Sequence, residues 1–115
     1  MSDCIFCRIV AGEIPSARVA EGDDWIAIRD INPAAPTHVL VIPRRHVASI
    51  DALGDGDGAM AGALLLAARD VARKEGVAES GYRTVINTGA HGGQTVDHLH
   101  VHVIGGKQLT GHGTA

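Results

Sequence analysis

The stretch His98-Leu99-His100-Val101-His102-Val103-Ile104 sets histidine and an apolar residue in strict alternation three times. Successive side chains on a strand point to opposite faces, so the three imidazoles are expected on one face and Leu99, Val101 and Val103 on the other. The segment is therefore read as a half-buried strand. At about 3.3 Å per residue, neighbouring histidines would stand about 6 to 7 Å apart along a row of about 13 Å. A phosphate group fits within such a row. A polar strand face accounts for one histidine well enough, but three at this spacing point to a site.

The rest of the chain must supply a sheet for that strand and a cover for its apolar side. With 115 residues one domain is expected, and with only 3% aromatic residues its core must be built mostly of Val, Ile, Leu and Ala. Such a core is thin, and a partner chain would extend it. The formal charge of -3 and the lack of a basic stripe argue against a nucleic-acid partner. The N-terminus has neither the charge nor the apolar run of a signal peptide, and no stretch has the length of a membrane helix, so a cytoplasmic protein is expected. In a reducing compartment the pair Cys4-Ile5-Phe6-Cys7 points to metal binding or redox chemistry sooner than to a disulfide.

Along the chain, residues 9–13 read as a helical turn or loop, with Pro15 blocking a longer helix. Strands at 17–21 and 25–29 flank the turn residues Gly22-Asp23-Asp24. Asp30 to Thr37 holds two prolines and should form an ordered loop, followed by an apolar strand at 38–42 that Pro43 ends. A short helix is expected at 47–53, then a flexible Gly/Asp run in which Asp55 or Asp57 caps the next helix. In that helix Met60, Ala63, Leu64, Ala67 and Val71 recur at three- and four-residue steps, and Gly76 terminates it. A strand at 82–87 and a glycine-rich loop, Thr88 to Gly93, lead into the histidine segment. No strand, helix, strand unit repeats, so the expected class is α+β: an antiparallel sheet of about five strands with helices on one side, one long and one short.

Two chemistries compete for the histidine row. Imidazoles can hold a catalytic metal with an open position for water. Alternatively, one neutral imidazole attacks phosphorus while its neighbours hold phosphate oxygens and supply protons. The preceding Gly92-Gly93-Gln94-Thr95, rich in amides and small polar groups, favours phosphoryl chemistry. For the cysteines, no flanking strand and helix support a thioredoxin-like role, leaving a metal site or two unliganded thiols.

The chain resembles the histidine triad (HIT) family. The resemblance is carried by His98-Leu99-His100-Val101-His102-Val103-Ile104 together with Asp30-Ile31-Asn32-Pro33, Pro36-Thr37-His38-Val39-Leu40-Val41-Ile42-Pro43, Gly81-Tyr82-Arg83, Val85-Ile86-Asn87 and Gly92-Gly93-Gln94-Thr95-Val96. It covers nearly everything from Cys4 to Lys107, and Gly105-Gly106 after the triad is similar to the Hint branch of nucleoside phosphoramidases. The resemblance implies a single HIT domain at 1–107 with a short tail at 108–115, and hydrolysis of the P–N bond of a purine nucleoside 5'-phosphoramidate. Dinucleoside polyphosphate hydrolase, nucleotidyl transferase and a non-catalytic nucleotide-binding regulator are the alternatives.

In that scheme His100 attacks the α-phosphorus to give a nucleotidyl-histidine that water cleaves, and His102 and His38 contact the phosphate or leaving group. Thr95, where the branch commonly has Ser, serves the leaving amine. Asn87, Gly93 and Gln94 lie near the phosphate, Asp30 accepts from the ribose hydroxyls, and Ile31 packs on the base. Some relatives bind structural zinc through positions matching Cys4, Cys7, His46 and His98, so zinc is the implied cofactor and no organic one is expected. The family further implies a homodimer with joined sheets and a purine nucleotide such as AMP or GMP as ligand. The short tail lacks the C-terminal tryptophan of some relatives, Asp97 stands where an aromatic is frequent, and His91 and His112 are expected at the surface without a role.

Overall fold

The computed structural model describes residues 3–111. Five strands, β1 (Arg18–Glu21), β2 (Trp25–Arg29), β3 (Thr37–Pro43), β4 (Tyr82–Val85) and β5 (Val101–Gly105), form one sheet in the order β1-β2-β3-β5-β4, every neighbouring pair antiparallel. β5 is thus inserted between β3 and β4, and both of its ladders are filled. The expected α+β class holds.

The two helices, α1 (Ile5–Val10) and α2 (Gly58–Lys74), lie on opposite faces, not on one side. Alternation within β2 and β3 dictates this. Ala27, Val39 and Val41 join Val101, Val103 and the α2 residues Leu64, Ala67, Ala68, Val71 and Ala72 in one core. Ile26, Ile28, Leu40 and Ile42 point the other way and pack on Phe6 and Ile9 of α1. Both faces of β3 are consequently apolar and all seven of its residues are buried. Beyond α1 the second face stays open, and it carries the site.

The short helix also lies elsewhere than expected. It begins four residues before residue 9 because Cys4 Sγ accepts the Cys7 amide as a cap, and it ends before Gly12, whose φ of +80° suits glycine. Residues 47–53 contain only one 3-10 turn, Ile50–Ala52, because Val47 is buried and its carbonyl accepts from the Leu99 amide instead of starting a helix. Ser49 is fully extended. Asp57 stands at the N-terminus of α2 without capping it, since its carboxylate takes the Gly54 amide at 2.8 Å and the Arg45 guanidinium. Gly76 does follow α2 in the left-handed region, at φ +76°. β4 stops at Val85, two residues short of the expected Asn87.

Candidate functional site

β5 begins only at Val101, so His98 and His100 precede the strand. The cause is Pro43. In the register of β3 on β5, where Val41 faces Val101, Leu99 would face Pro43, which has no amide to donate. The Leu99 amide turns to the Val47 carbonyl at 2.7 Å, and the His98 imidazole donates from Nε2 to the Pro43 carbonyl at 2.9 Å. The facing expected from alternation survives: Leu99, Val101 and Val103 are buried toward α2, while Phe6, on the opposite face, meets the rings of His98 and His100 edge-on. The even row does not. His98 is fully buried, and the His100 and His102 ring centroids are 4.9 Å apart, tilted by 60°.

His98 turns away from its two neighbours toward the cysteines. Its Nδ1 lies 3.3 Å from Cys4 Sγ, 3.5 Å from Cys7 Sγ and 3.2 Å from His46 Nδ1, and Cys7 Sγ is 3.3 Å from His46 Nδ1. The four ligand atoms lie within 4.8 Å of one another. Zinc bound tetrahedrally to sulfur and imidazole nitrogen has ligand-to-ligand edges of roughly 3.3 to 3.8 Å, so the donor set fits that ion. With Nε2–H donating to Pro43, Nδ1 of His98 carries the lone pair a ligand needs. Burial keeps the His98 imidazole neutral by lowering its pKa, against the Pro43 carbonyl and with help from His46 and His100.

The backbone of His98 serves the next histidine. Its carbonyl accepts from Nδ1 of His100 at 2.7 Å, which places the His100 lone pair on Nε2. His100 is almost buried, yet no buried side-chain nitrogen or oxygen lacks a partner among the described residues, so Nε2 remains accessible. Beside it, His102 accepts or donates at Nδ1 with His38 Nε2, 2.9 Å away, and His38 Nδ1 accepts from the Ala34 amide at 3.0 Å. Asp30 Oδ2 lies 3.4 Å from the same His38 nitrogen. Burial, reinforced by His100 and His38 and opposed by Asp30, lowers the His102 pKa to about 4. His38 is also lowered by burial, against Asp30.

His38 and His102 line a groove of about 820 Å³ with Ala34, Arg83, Asn87 and Gly93. The glycine-rich loop forms one wall. Asn87 Nδ2 donates to the Gly92 carbonyl at 2.7 Å, and the Gln94 amide ties the loop to its surroundings, accepting from the Gly89 amide and donating to the Ala48 and Val96 carbonyls. A Cβ at Gly92 would lie 2.3 Å from the Thr88 carbonyl oxygen, so only glycine fits there. Gly93 has φ +77°. Thr95 is exposed on the same loop, and Ile31 is 91% exposed at the tip of the proline loop, open to stack on a planar group. Asp30 Oδ1 accepts from the Asn32 amide, leaving Oδ2 toward His38.

Two groove residues escaped the sequence reading. Arg83 donates to the Thr110 and Gly111 carbonyls from the groove wall, and the motif Gly81-Tyr82-Arg83 was the signal that could have found it. His91, expected at the surface without a role, is exposed and lines the groove. Asp97 is exposed, and His112 lies outside the described residues. The Ala34 amide gives no sequence signal at all.

A five-stranded antiparallel sheet with paired imidazoles on its open face defines the class of protein. Residues 11–109 match the family model of the HIT domain. The chain is 41% identical over 107 residues to the purine nucleoside phosphoramidase of Escherichia coli, covering 93% of this chain and 90% of that protein. Among solved structures it is similar to a HIT family hydrolase from Legionella pneumophila, at a TM-score of 0.92 and 45% identity over 94% of this chain and 96% of the other. A histidine triad protein from Clostridium difficile gives a TM-score of 0.93 at 39% identity over 97% of both chains. The chain belongs to the HIT family. No helix of the described residues is long and apolar enough to cross a membrane.

Proposed function

We propose that this chain hydrolyses the P–N bond of purine nucleoside 5'-phosphoramidates, with His100 as nucleophile. The observation that carries the reading is the 2.7 Å hydrogen bond from His100 Nδ1 to the His98 carbonyl, which in the neutral ring leaves the lone pair on an accessible Nε2 beside His102. The phosphoramidase of Escherichia coli, 41% identical, supports the substrate class.

In the first step Nε2 of His100 forms a bond to the α-phosphorus, and the P–N bond breaks with its electron pair leaving on nitrogen. The departing amine takes the proton of the Thr95 hydroxyl, which is replaced from solvent. His102 donates a hydrogen bond from Nε2 to a phosphoryl oxygen, where negative charge concentrates in the transition state. In the second step water attacks phosphorus, the bond to Nε2 breaks with its electron pair returning to His100, and a proton of the water passes to solvent, releasing the nucleoside monophosphate. Asp30 receives the ribose hydroxyls, Ile31 lies on the purine of AMP or GMP, and Asn87, Gly93 and the loop framed by Gln94 border the phosphate.

Cys4, Cys7, His46 and His98 would hold zinc, whose role when bound is to anchor residue 98 and hence the carbonyl that orients His100. The chain pairs as a homodimer through the free edge of β4 and the neighbouring surface of α2, where Leu65 and Leu66 are 55% and 54% exposed and Tyr82 is 37% exposed.

Purified protein should release AMP from adenosine 5'-phosphoramidate, and His100→Ala should reduce kcat on the order of a thousandfold or more. Full turnover by that variant, or AMP binding without turnover by the unaltered protein, overturns the proposal.

A further inference from the structure

We propose that the backbone amide of Ala34 is a positioning group that fixes the tautomers of His38 and His102 in series, leaving His102 as a hydrogen-bond donor toward the groove. The tautomer assignment stands on geometry alone; its catalytic consequence rests on the function proposed above.

A neutral imidazole has one N–H and one lone pair. Nδ1 of His38 faces the Ala34 N–H at 3.0 Å and must present its lone pair, so the proton of His38 is on Nε2. The groups near that nitrogen are His102 Nδ1 at 2.9 Å and Asp30 Oδ2 at 3.4 Å, and an N–H on each of the two facing ring nitrogens would leave their contact with two donors and no acceptor. His102 therefore shows its lone pair at Nδ1 and carries its proton on Nε2. That Nε2 has no hydrogen-bond partner among the described residues and is not sealed from solvent. Next to it, the His98 carbonyl imposes the opposite polarity on His100, with Nδ1–H inward and the lone pair outward.

Two imidazoles whose centroids are 4.9 Å apart are thus made chemically unlike by two backbone groups, one amide and one carbonyl. One presents an electron pair to phosphorus and its neighbour presents a proton to a phosphoryl oxygen. The same logic decides the nature of the Asp30, His38 and His102 cluster, whose donor atoms lie within 4.8 Å of one another. While the Ala34 amide occupies Nδ1 of His38, Nε2 holds a proton and cannot ligate, so the cluster is a hydrogen-bond chain and not a cation site. The loop makes this contact with a backbone atom, flanked by Pro33 and Pro36, whose rings fix the local chain direction.

The test replaces Ala34 by lactic acid in the full chain, an amide-to-ester exchange that removes the N–H and keeps the side chain, with Ala34→Pro as a second variant lacking the same N–H. ¹⁵N spectra of histidine-labelled protein should give His38 and His102 as Nε2–H tautomers and His100 as Nδ1–H in the unaltered protein. Both variants should show mixed tautomers at His38 and His102 with His100 unchanged. With adenosine 5'-phosphoramidate, kcat should fall about tenfold or more while KM stays within about twofold. An Nδ1–H tautomer at His102 in the unaltered protein, or unchanged tautomers in the folded ester variant, overturns the inference. The expected spectra in a protein that turns over no phosphoramidate would instead refute the function and leave the tautomer chain standing.

Discussion

His102 lies at the groove end of a hydrogen-bond chain and has a pKa held well below the ordinary histidine range, at about 4. Its state should not change between roughly pH 5.5 and roughly pH 8, so no inflection of the pH–rate profile in that range belongs to its titration. The same depression links it to folding. The unfolded chain binds a proton at His102 and His38 near their ordinary value of 6.5, whereas the folded chain resists until lower pH. Between those values the unfolded state holds more protons, so stability is full above about 6.5 and falls as pH drops toward about 4. Denaturant midpoints measured across that window should decline with acidity, and His102→Gln should flatten the decline. The residue types of this site were legible in the sequence, because a merely structural strand has no use for three alternating histidines. Their division of labour was not, since it depends on which carbonyl or amide each ring meets: Pro43 for His98, the His98 carbonyl for His100, Ala34 for His38.

At the scale of elements, α2 is the cover that the apolar side of the histidine segment demanded. Leu64 is buried against β3 and β5, and Leu64→Ala should cost about 2 to 5 kcal/mol, read as a lower denaturant midpoint at unchanged m. The stripe of α2 was visible in the sequence because helical periodicity survives any docking angle. Its face was legible; the placement of α1 was not, since two buried residues, Phe6 and Ile9, carry no period long enough to read. β5 is three residues shorter at its start than alternation suggests, for a related reason. Alternation describes the local backbone, whereas a ladder also needs a partner, and Pro43 denies one to Leu99. The glycine-rich loop should be intolerant at Gly92: Gly92→Ala drives a methyl into the Thr88 carbonyl, and AMP affinity measured by calorimetry should weaken about tenfold or more.

For the molecule as a whole, the proposed zinc ligands and the proposed dimer contact lie on different elements and can be tested separately. Chelation of the proposed zinc, or Cys7→Ser, should lower the thermal midpoint and reduce kcat together, because His98, which faces the Cys7 sulfur, also orients His100. Leu65→Glu with Leu66→Glu should yield monomer in sedimentation experiments while leaving the metal content unchanged. Residue 98 connects these levels: its side chain reaches the cysteines, its Nε2 reaches Pro43, and its carbonyl reaches His100. Redesign is constrained accordingly. The groove walls at Arg83, His91 and residues 107–111 are open to substitution for new ligands, whereas the three residues from His98 to His100 have no spare direction left in which to be changed.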